Sequence, residues 1–73
     1  MPEKMIYSGT LAYGVGECYL DQTLMVIDDA GCADQDCTAR RARDHFKNNN
    51  VPDGRRIQVY GFLQDDVLHI ERD

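Results

Sequence analysis

The sequence lacks any long apolar run. No stretch approaches the ~18 consecutive apolar residues of a membrane-spanning helix. The N-terminal residues MPEKMIYSG have no apolar segment behind their basic residue, so no secretory signal peptide is predicted. The chain of 73 residues also lacks a linker and a low-complexity tract. We therefore expect one domain, residues 1–73, that is cytoplasmic and has no membrane contact.

Cysteine is scarce and odd in number, with three residues in the chain. An odd count argues against a fully paired, secreted scaffold. Cys32 and Cys37 have four intervening residues, whereas zinc sites and redox pairs commonly have two, and Cys18, His45 and His69 stand at no matching spacing. We therefore expect no metal site, no cofactor, and no disulfide that folding requires.

The sequence patterns of common enzyme classes are also missing. Gly14-Val15-Gly16 lacks the third glycine of a dinucleotide fingerprint, because position 19 is tyrosine. The acids Asp28-Asp29, Asp34 and Asp36 do not follow the EF-hand ligand pattern and fall where turns are expected. No Ser/His/Asp or Cys/His signature is present. The chain is therefore predicted not to be an enzyme.

Charge is present, but it is unevenly distributed. The net charge of −5 argues against a general nucleic-acid binder. Residues 40–56 nevertheless hold six bases and two acids. This basic segment either contacts an anion or is neutralised by the acidic remainder of the chain.

The clearest structural pattern lies between Gly54 and Asp73. Residues 57–64 alternate with the period of a β-strand, Asp65-Asp66 interrupts the alternation, and residues 67–70 resume it. Because a shift of one residue would scramble both faces, the pattern predicts a hairpin with a defined register. The predicted cross-strand pairs are Leu63 with Leu68, Gly61 with Ile70, Phe62 with His69, and Tyr60 with Glu71.

Three strands are predicted before this hairpin. Met5 to Tyr13 alternates around Gly9, which indicates a bulge or sharp coiling. Glu17 to Leu20 is predicted as the second strand, and Leu24 to Ile27, apolar on both faces, as the third. A mid-strand glycine recurs at Gly61, and two strands that coil at a glycine favour a small closed barrel.

One helix is predicted between the third strand and the hairpin. It begins at about Asp34 or Thr38, whose side-chain oxygens can cap free N–H groups, and it ends at Lys47 before Asn48-Asn49-Asn50. Its narrow apolar stripe of Ala39, Ala42 and Phe46 can plug a barrel end but cannot build a core alone. The predicted core contains Leu11, Leu20, Val26, Phe46, Ile57, Val59, Leu63, Leu68 and Ile70.

The resulting order of elements resembles the OB-fold, a five-stranded barrel with a helix between its third and fourth strands. The resemblance covers nearly the whole chain and rests on the glycine-kinked strand Tyr7 to Leu11 and on Arg56 to Leu63 followed by Leu68-His69-Ile70. The predicted class is mainly β with one helix, in the order βββαββ. If residues 17–27 form one strand, the order becomes ββαββ and resembles the β-grasp.

The outer face of the terminal hairpin is the predicted interaction surface. Tyr60 and Phe62 project away from the predicted core, with His69 across from Phe62. Large apolar groups left in water indicate a contact surface. We expect these residues to bind another protein or a second copy of the chain, with Arg55 and Arg56 at the rim.

The OB-fold resemblance implies an alternative ligand, a single-stranded nucleic acid or another anionic oligomer. The aromatic residue available on the second strand is Tyr19. The bases available to it lie on the helix, at Arg40, Arg41 and Arg43, and at Arg55-Arg56. Single-strand binders combine stacking rings with a basic groove, whereas few bases lie on these strands.

Overall fold

The computed structural model describes residues 3–71. Within this range no helix has both the length and the apolarity needed to cross a bilayer. The elements follow the predicted order: β1 (Met5–Tyr13), β2 (Cys18–Leu20), β3 (Thr23–Val26), α1 (Gln35–Asn48), β4 (Arg56–Gln64) and β5 (Val67–Ile70).

The strands close into a barrel in the order β1-β2-β3-β5-β4. Neighbouring strands are antiparallel except β3 and β5, which are parallel. The mainly β class and the βββαββ order are thus confirmed, and the architecture is consistent with a small OB-like barrel. Residues 17–27 contribute two strands on either side of a turn at Asp21-Gln22, which excludes the β-grasp order.

The terminal hairpin has the predicted register. Gly61 pairs with Ile70, Phe62 with His69, and Leu63 with Leu68. Its two loop residues have positive φ angles, 54° at Asp65 and 63° at Asp66. This is the conformation of a type I′ turn, whose twist matches that of the flanking strands, and aspartate tolerates it better than most residues.

Close approach of β4 and β5 explains the glycine within β4. A Cβ atom added at Gly61 would lie 1.9 Å from the backbone oxygen of His69, so no side chain fits there. At Gly9 in β1, by contrast, an added Cβ would meet the side chains of Asp21 and Leu20. The strand β4 can therefore lie this close to β5 at position 61 only if the residue there is glycine.

The helix closes one end of the barrel. Its N-cap is Asp34, whose Oδ1 accepts a hydrogen bond of 2.9 Å from the backbone N–H of Cys37. A hydrogen bond of 3.1 Å from the Ile27 N–H to the backbone oxygen of Thr38 connects the end of β3 to the helix. Ala39, Ala42 and Phe46 are its buried residues, as predicted. The stripe therefore covers the barrel end where β3 and β5 finish.

The core agrees with the prediction except at one leucine. Seven of the nine predicted residues are buried, and Ile57 is partly buried against the core cluster. Leu63 is 46% exposed, so its predicted burial is wrong. It lies on the inward face, but β1 pairs with β4 only as far as Met5 opposite Gly61. The described part of β1 therefore does not reach over Leu63.

The cysteines form a pair that the sequence did not predict. Cys32 and Cys37 are joined by a disulfide with their Cα atoms 5.4 Å apart. The loop folds back through a hydrogen bond of 2.9 Å from the Cys32 N–H to the Asp29 oxygen. This turn, rather than the sequence spacing, brings Cys32 beside the first turn of α1. Cys18 is free and buried.

Reduction of this disulfide is expected to lower the melting temperature by only roughly 10 °C. All five strands lie outside the loop that it closes, and cross-linking so short a loop contributes about 2 kcal/mol. Thermal unfolding with and without dithiothreitol measures the effect. The double variant Cys32→Ser, Cys37→Ser is the control and should match the reduced protein. A loss of tens of degrees would mean that folding requires the disulfide.

Candidate functional site: the outer face of the terminal hairpin

Phe62 and His69 form the centre of the candidate surface. The register of β4 and β5 places them opposite each other, and both point out of the barrel. Their rings are parallel within 3° and their centroids are 4.7 Å apart. The predicted juxtaposition of these two residues is therefore present, as a stacked pair that presents one flat aromatic surface.

The imidazole of His69 is held from its other side by Asp28. Its Nδ1 lies 3.1 Å from Oδ2 and 3.2 Å from Oδ1 of Asp28. The His69 side chain is 22% exposed, whereas that of Asp28 is 66% exposed. Because the ring is stacked on Phe62 and bonded to a carboxylate, its orientation is fixed before any partner arrives.

Sequence reasoning did not assign Asp28 to this surface. The parallel pairing of β3 with β5 brings Val26 level with His69, and Asp28 follows two residues later. Asp28 and His69 are 41 residues apart in sequence, so no local pattern connects them. Asp28 could have been assigned only from the strand order of the barrel. Pairing of β3 with β5 places the end of β3 beside His69.

An ion pair crosses the same face of the barrel. The Nζ of Lys4 donates to Oε1 of Glu71, and both side chains are about half exposed. This hydrogen bond and the charge of Glu71 raise the pKa of Lys4. Lys4 precedes β1 and Glu71 follows β5, on opposite sides of β4, so their bond passes over the outer face of that strand.

Tyr60 lies beside Ile6 rather than beside the stacked rings. The two residues are cross-strand partners of β4 and β1. Both are exposed, Tyr60 by 48% and Ile6 by 63%. Ile6 extends the apolar part of the surface, and sequence reasoning missed it because Ile6 only interrupted the alternation of β1.

An open cleft of about 560 Å³ lies at the centre of this face. Its walls include the stacked rings of Phe62 and His69, and the side chains of Asp28 and Glu71 stand at its edge. Ile27, Ile70 and Lys4 complete its lining, and the two isoleucines are buried. The cleft therefore combines an apolar floor and an aromatic wall with two carboxylates.

Arg55 and Arg56 lie at the other end of β4 from this cleft. Arg56 begins the strand and pairs with Thr10 of β1. At about 3.3 Å per residue it is roughly 13 Å along the strand from Tyr60 and roughly 20 Å from Phe62. Both arginines are exposed, but they do not border the stacked pair.

The residues of the nucleic-acid alternative are distributed over separate parts of the molecule. Tyr19 is half-buried in β2 between Ala12 and Leu24. On α1, Arg41 pairs with Asp29 at 3.3 Å and Arg43 with Asp44 at 2.9 Å, while Arg40 is exposed. Two of the predicted basic groups are therefore engaged with carboxylates, and Arg56 lies on β4 opposite Thr10 of β1.

Within residues 3–71 no three His, Cys, Asp or Glu side chains come together as a potential metal site. Burial raises the pKa of Cys18 to about 12, so this thiol stays protonated at neutral pH and unreactive. Comparisons with protein-family models, curated proteins and solved structures found no match to this chain.

Proposed function

We propose that this protein is a non-enzymatic interaction module that binds a basic, partly apolar segment of another protein on the outer face of β4 and β5. The observation that carries the proposal is the cleft beside Phe62 and His69, where a flat aromatic surface stands next to the carboxylates of Asp28 and Glu71. Tyr60 and Ile6 supply further exposed apolar area on the same face.

Preorganisation supports a role in binding for the stacked rings. Aromatic anchors commonly dominate the energetics of protein interfaces. The parallel stack and the Asp28 contact fix the His69 ring in the free protein. Binding then loses less side-chain entropy than it would with mobile rings, because their orientation is already set.

The charges around the cleft select the kind of partner. Asp28 and Glu71 are acidic, and the one base at the cleft, Lys4, is already paired with Glu71. The whole chain has a net charge of −5. Arginine or lysine side chains can pair with these carboxylates and pack over the aromatic rings, whereas phosphates would be repelled.

Single-stranded nucleic acid is the second candidate, and the barrel architecture favours it. An OB-like barrel with an outward tyrosine on β2 has the platform on which bases stack in such proteins. The guanidinium groups of Arg41 and Arg43 are engaged with carboxylates. Because the net charge of −5 also opposes the binding of phosphates, the protein ligand is the leading proposal.

The double variant Tyr60→Ser, Phe62→Ser is expected to weaken binding of a short peptide of alternating arginine and leucine by more than roughly tenfold. Both rings lie on the outer face, so the fold should be retained. Isothermal titration measures the affinity, and circular dichroism the fold. The matched control is Gln58→Ser, Gln64→Ser, which changes two exposed residues on the same face of β4 and should leave peptide binding unchanged.

Two results would contradict this proposal. If the tyrosine and phenylalanine variant unfolds at room temperature, these side chains belong to the core and not to a binding surface. If the folded variant binds the peptide as tightly as the original protein, the cationic peptide is held elsewhere and the outer face of β4 and β5 is not its site.

A further inference from the structure

The barrel has a second feature, at the end opposite α1. There the start of β1, the β2–β3 turn and the β4–β5 turn surround an apolar pit of about 200 Å³. Its apolar walls are Tyr7, Leu20, Leu63 and Leu68. An apolar cavity of about 150 Å³ already accommodates benzene. The pit is therefore large enough for a single aliphatic side chain, and the exposed Leu63 stands at its edge.

The loop of residues 14–17, at the helix end of the barrel, carries an aliphatic side chain of suitable size. Val15 is 95% exposed, far more than any other large apolar side chain in the described part of the chain. Two hydrogen bonds hold this loop in place. Nη1 of Arg43 donates a hydrogen bond of 2.6 Å to the Val15 oxygen, and the Gly14 N–H donates one of 2.8 Å to the Glu17 oxygen. Val15 is thus a fixed projection into solvent.

The projection and the pit cannot meet within one molecule. Tyr7 stands near the start of β1, and Val15 follows its end. At about 3.3 Å per residue these positions are roughly 25 Å apart. Any contact between them must therefore join two copies of the chain, with the helix end of one against the open end of the next.

The segments next to the two ends differ in charge, although the Val15 loop itself contains Glu17. The turns at the pit contain Asp21, Asp65 and Asp66 and no base. The Val15 end lies against the basic segment of residues 40–56, which holds six bases and two acids. Lys47 is 5.2 Å from the centroid of the Tyr13 ring, and the Arg55 oxygen accepts a hydrogen bond of 2.8 Å from the Leu11 N–H. Both contacts place this segment beside the end of β1.

We propose that copies of this chain associate head to tail, with Val15 of one copy inserted into the apolar pit of the next. Burial of the Val15 isopropyl group and of Leu63 removes two of the exposed apolar side chains from water. The opposite charges of the segments next to the two ends orient the encounter. Because the two surfaces differ, the contact does not close on itself and can repeat as a chain of molecules.

Two single variants and their mixture test the proposal. Val15→Asp removes the projection and keeps the pit, whereas Leu63→Asp places a charge in the pit and keeps the projection. For the original chain, sedimentation equilibrium should show a weight-average molecular mass that rises with protein concentration. For each variant alone the association constant should fall by more than roughly tenfold. The mixture should form a one-to-one complex of twice the 8.3 kDa chain mass, because one intact projection meets one intact pit.

The mixture separates this arrangement from other kinds of association. If the two variants remain monomeric when mixed, or if the original chain is monomeric at every concentration, the proposal is wrong. If the variants associate as strongly as the original chain, the contact lies elsewhere and the proposal is also wrong. Should Leu63→Asp fail to fold, Leu63→Arg takes its place in the same mixture and is held to the same outcomes.

Discussion

Gly61→Ala is expected to destabilise the protein by more than about 3 kcal/mol, at or above the usual range for overpacking. The added Cβ would lie 1.9 Å from the His69 oxygen and 2.9 Å from the Ile70 Cα. Both are backbone atoms, so no side-chain rotation relieves the clash. The hairpin must separate at this point, and the barrel then loses contacts between β4 and β5.

The effect is large for a domain of this size. A stability of about 0.05–0.15 kcal/mol per residue corresponds to roughly 4–11 kcal/mol for the whole chain. The control is Gly16→Ala, because a Cβ at Gly16 meets nothing within 4 Å. This variant should be neutral or stabilised by up to about 1 kcal/mol. Urea unfolding followed by circular dichroism measures both, and equal midpoints for the two variants would contradict the close approach at Gly61.

Leu68→Ala is expected to cost about 2–4 kcal/mol through loss of buried surface and formation of a cavity. Leu68 is 2% exposed and belongs to the core cluster. Its partner across the hairpin is Leu63, and the same substitution there provides a matched control. Since Leu63 is 46% exposed, Leu63→Ala should cost less than about 1 kcal/mol.

The comparison of these two leucines tests the open end of the barrel. Both substitutions shorten a leucine on the same face of the same hairpin. The change in β-propensity and the strand register are therefore the same in the two variants. Unfolding in urea gives the two free energies directly. Equal losses would show that Leu63 is covered as fully as Leu68, and the pit beside it would not exist as described.

Much of the fold follows from local patterns in the sequence. The alternation from residue 57 to residue 70 determines the hairpin because two turn-forming aspartates leave one register that separates both faces. The helix begins directly after Asp34, one of the two predicted caps, and ends at Asn48, one residue beyond the predicted Lys47. These features depend on residues close in sequence, and for that reason they are predictable.

The errors concern features that neither alternation nor residue spacing determines. Alternation assigns Leu63 to the inward face, but it does not reveal that the pairing of β1 ends at Met5. Spacing alone does not show that the loop from Asp29 returns Cys32 to the helix. In both cases the decisive quantity is the position of a neighbouring element, which the local pattern does not contain.

The candidate site likewise contains one contact that local sequence predicts and others that depend on distant residues. The position of Phe62 opposite His69 follows from the hairpin register, as predicted, whereas the parallel stacking of the two rings was not predicted. Asp28 enters the site through the parallel pairing of β3 with β5, and Lys4 through its ion pair across β4. These non-local contacts supply the charges from which the partner's chemistry is inferred.

Amide chemical-shift mapping tests the proposed function most directly. The uniformly ¹⁵N-labelled protein is titrated in parallel with the arginine–leucine peptide and with oligothymidylate at low and high salt. We expect the peptide to shift the amides of Tyr60, Phe62 and His69 and oligothymidylate to leave them unchanged. Saturable shifts with oligothymidylate that weaken steeply with salt, together with no response to the peptide, would contradict the protein-binding function and favour a single-strand nucleic-acid binder.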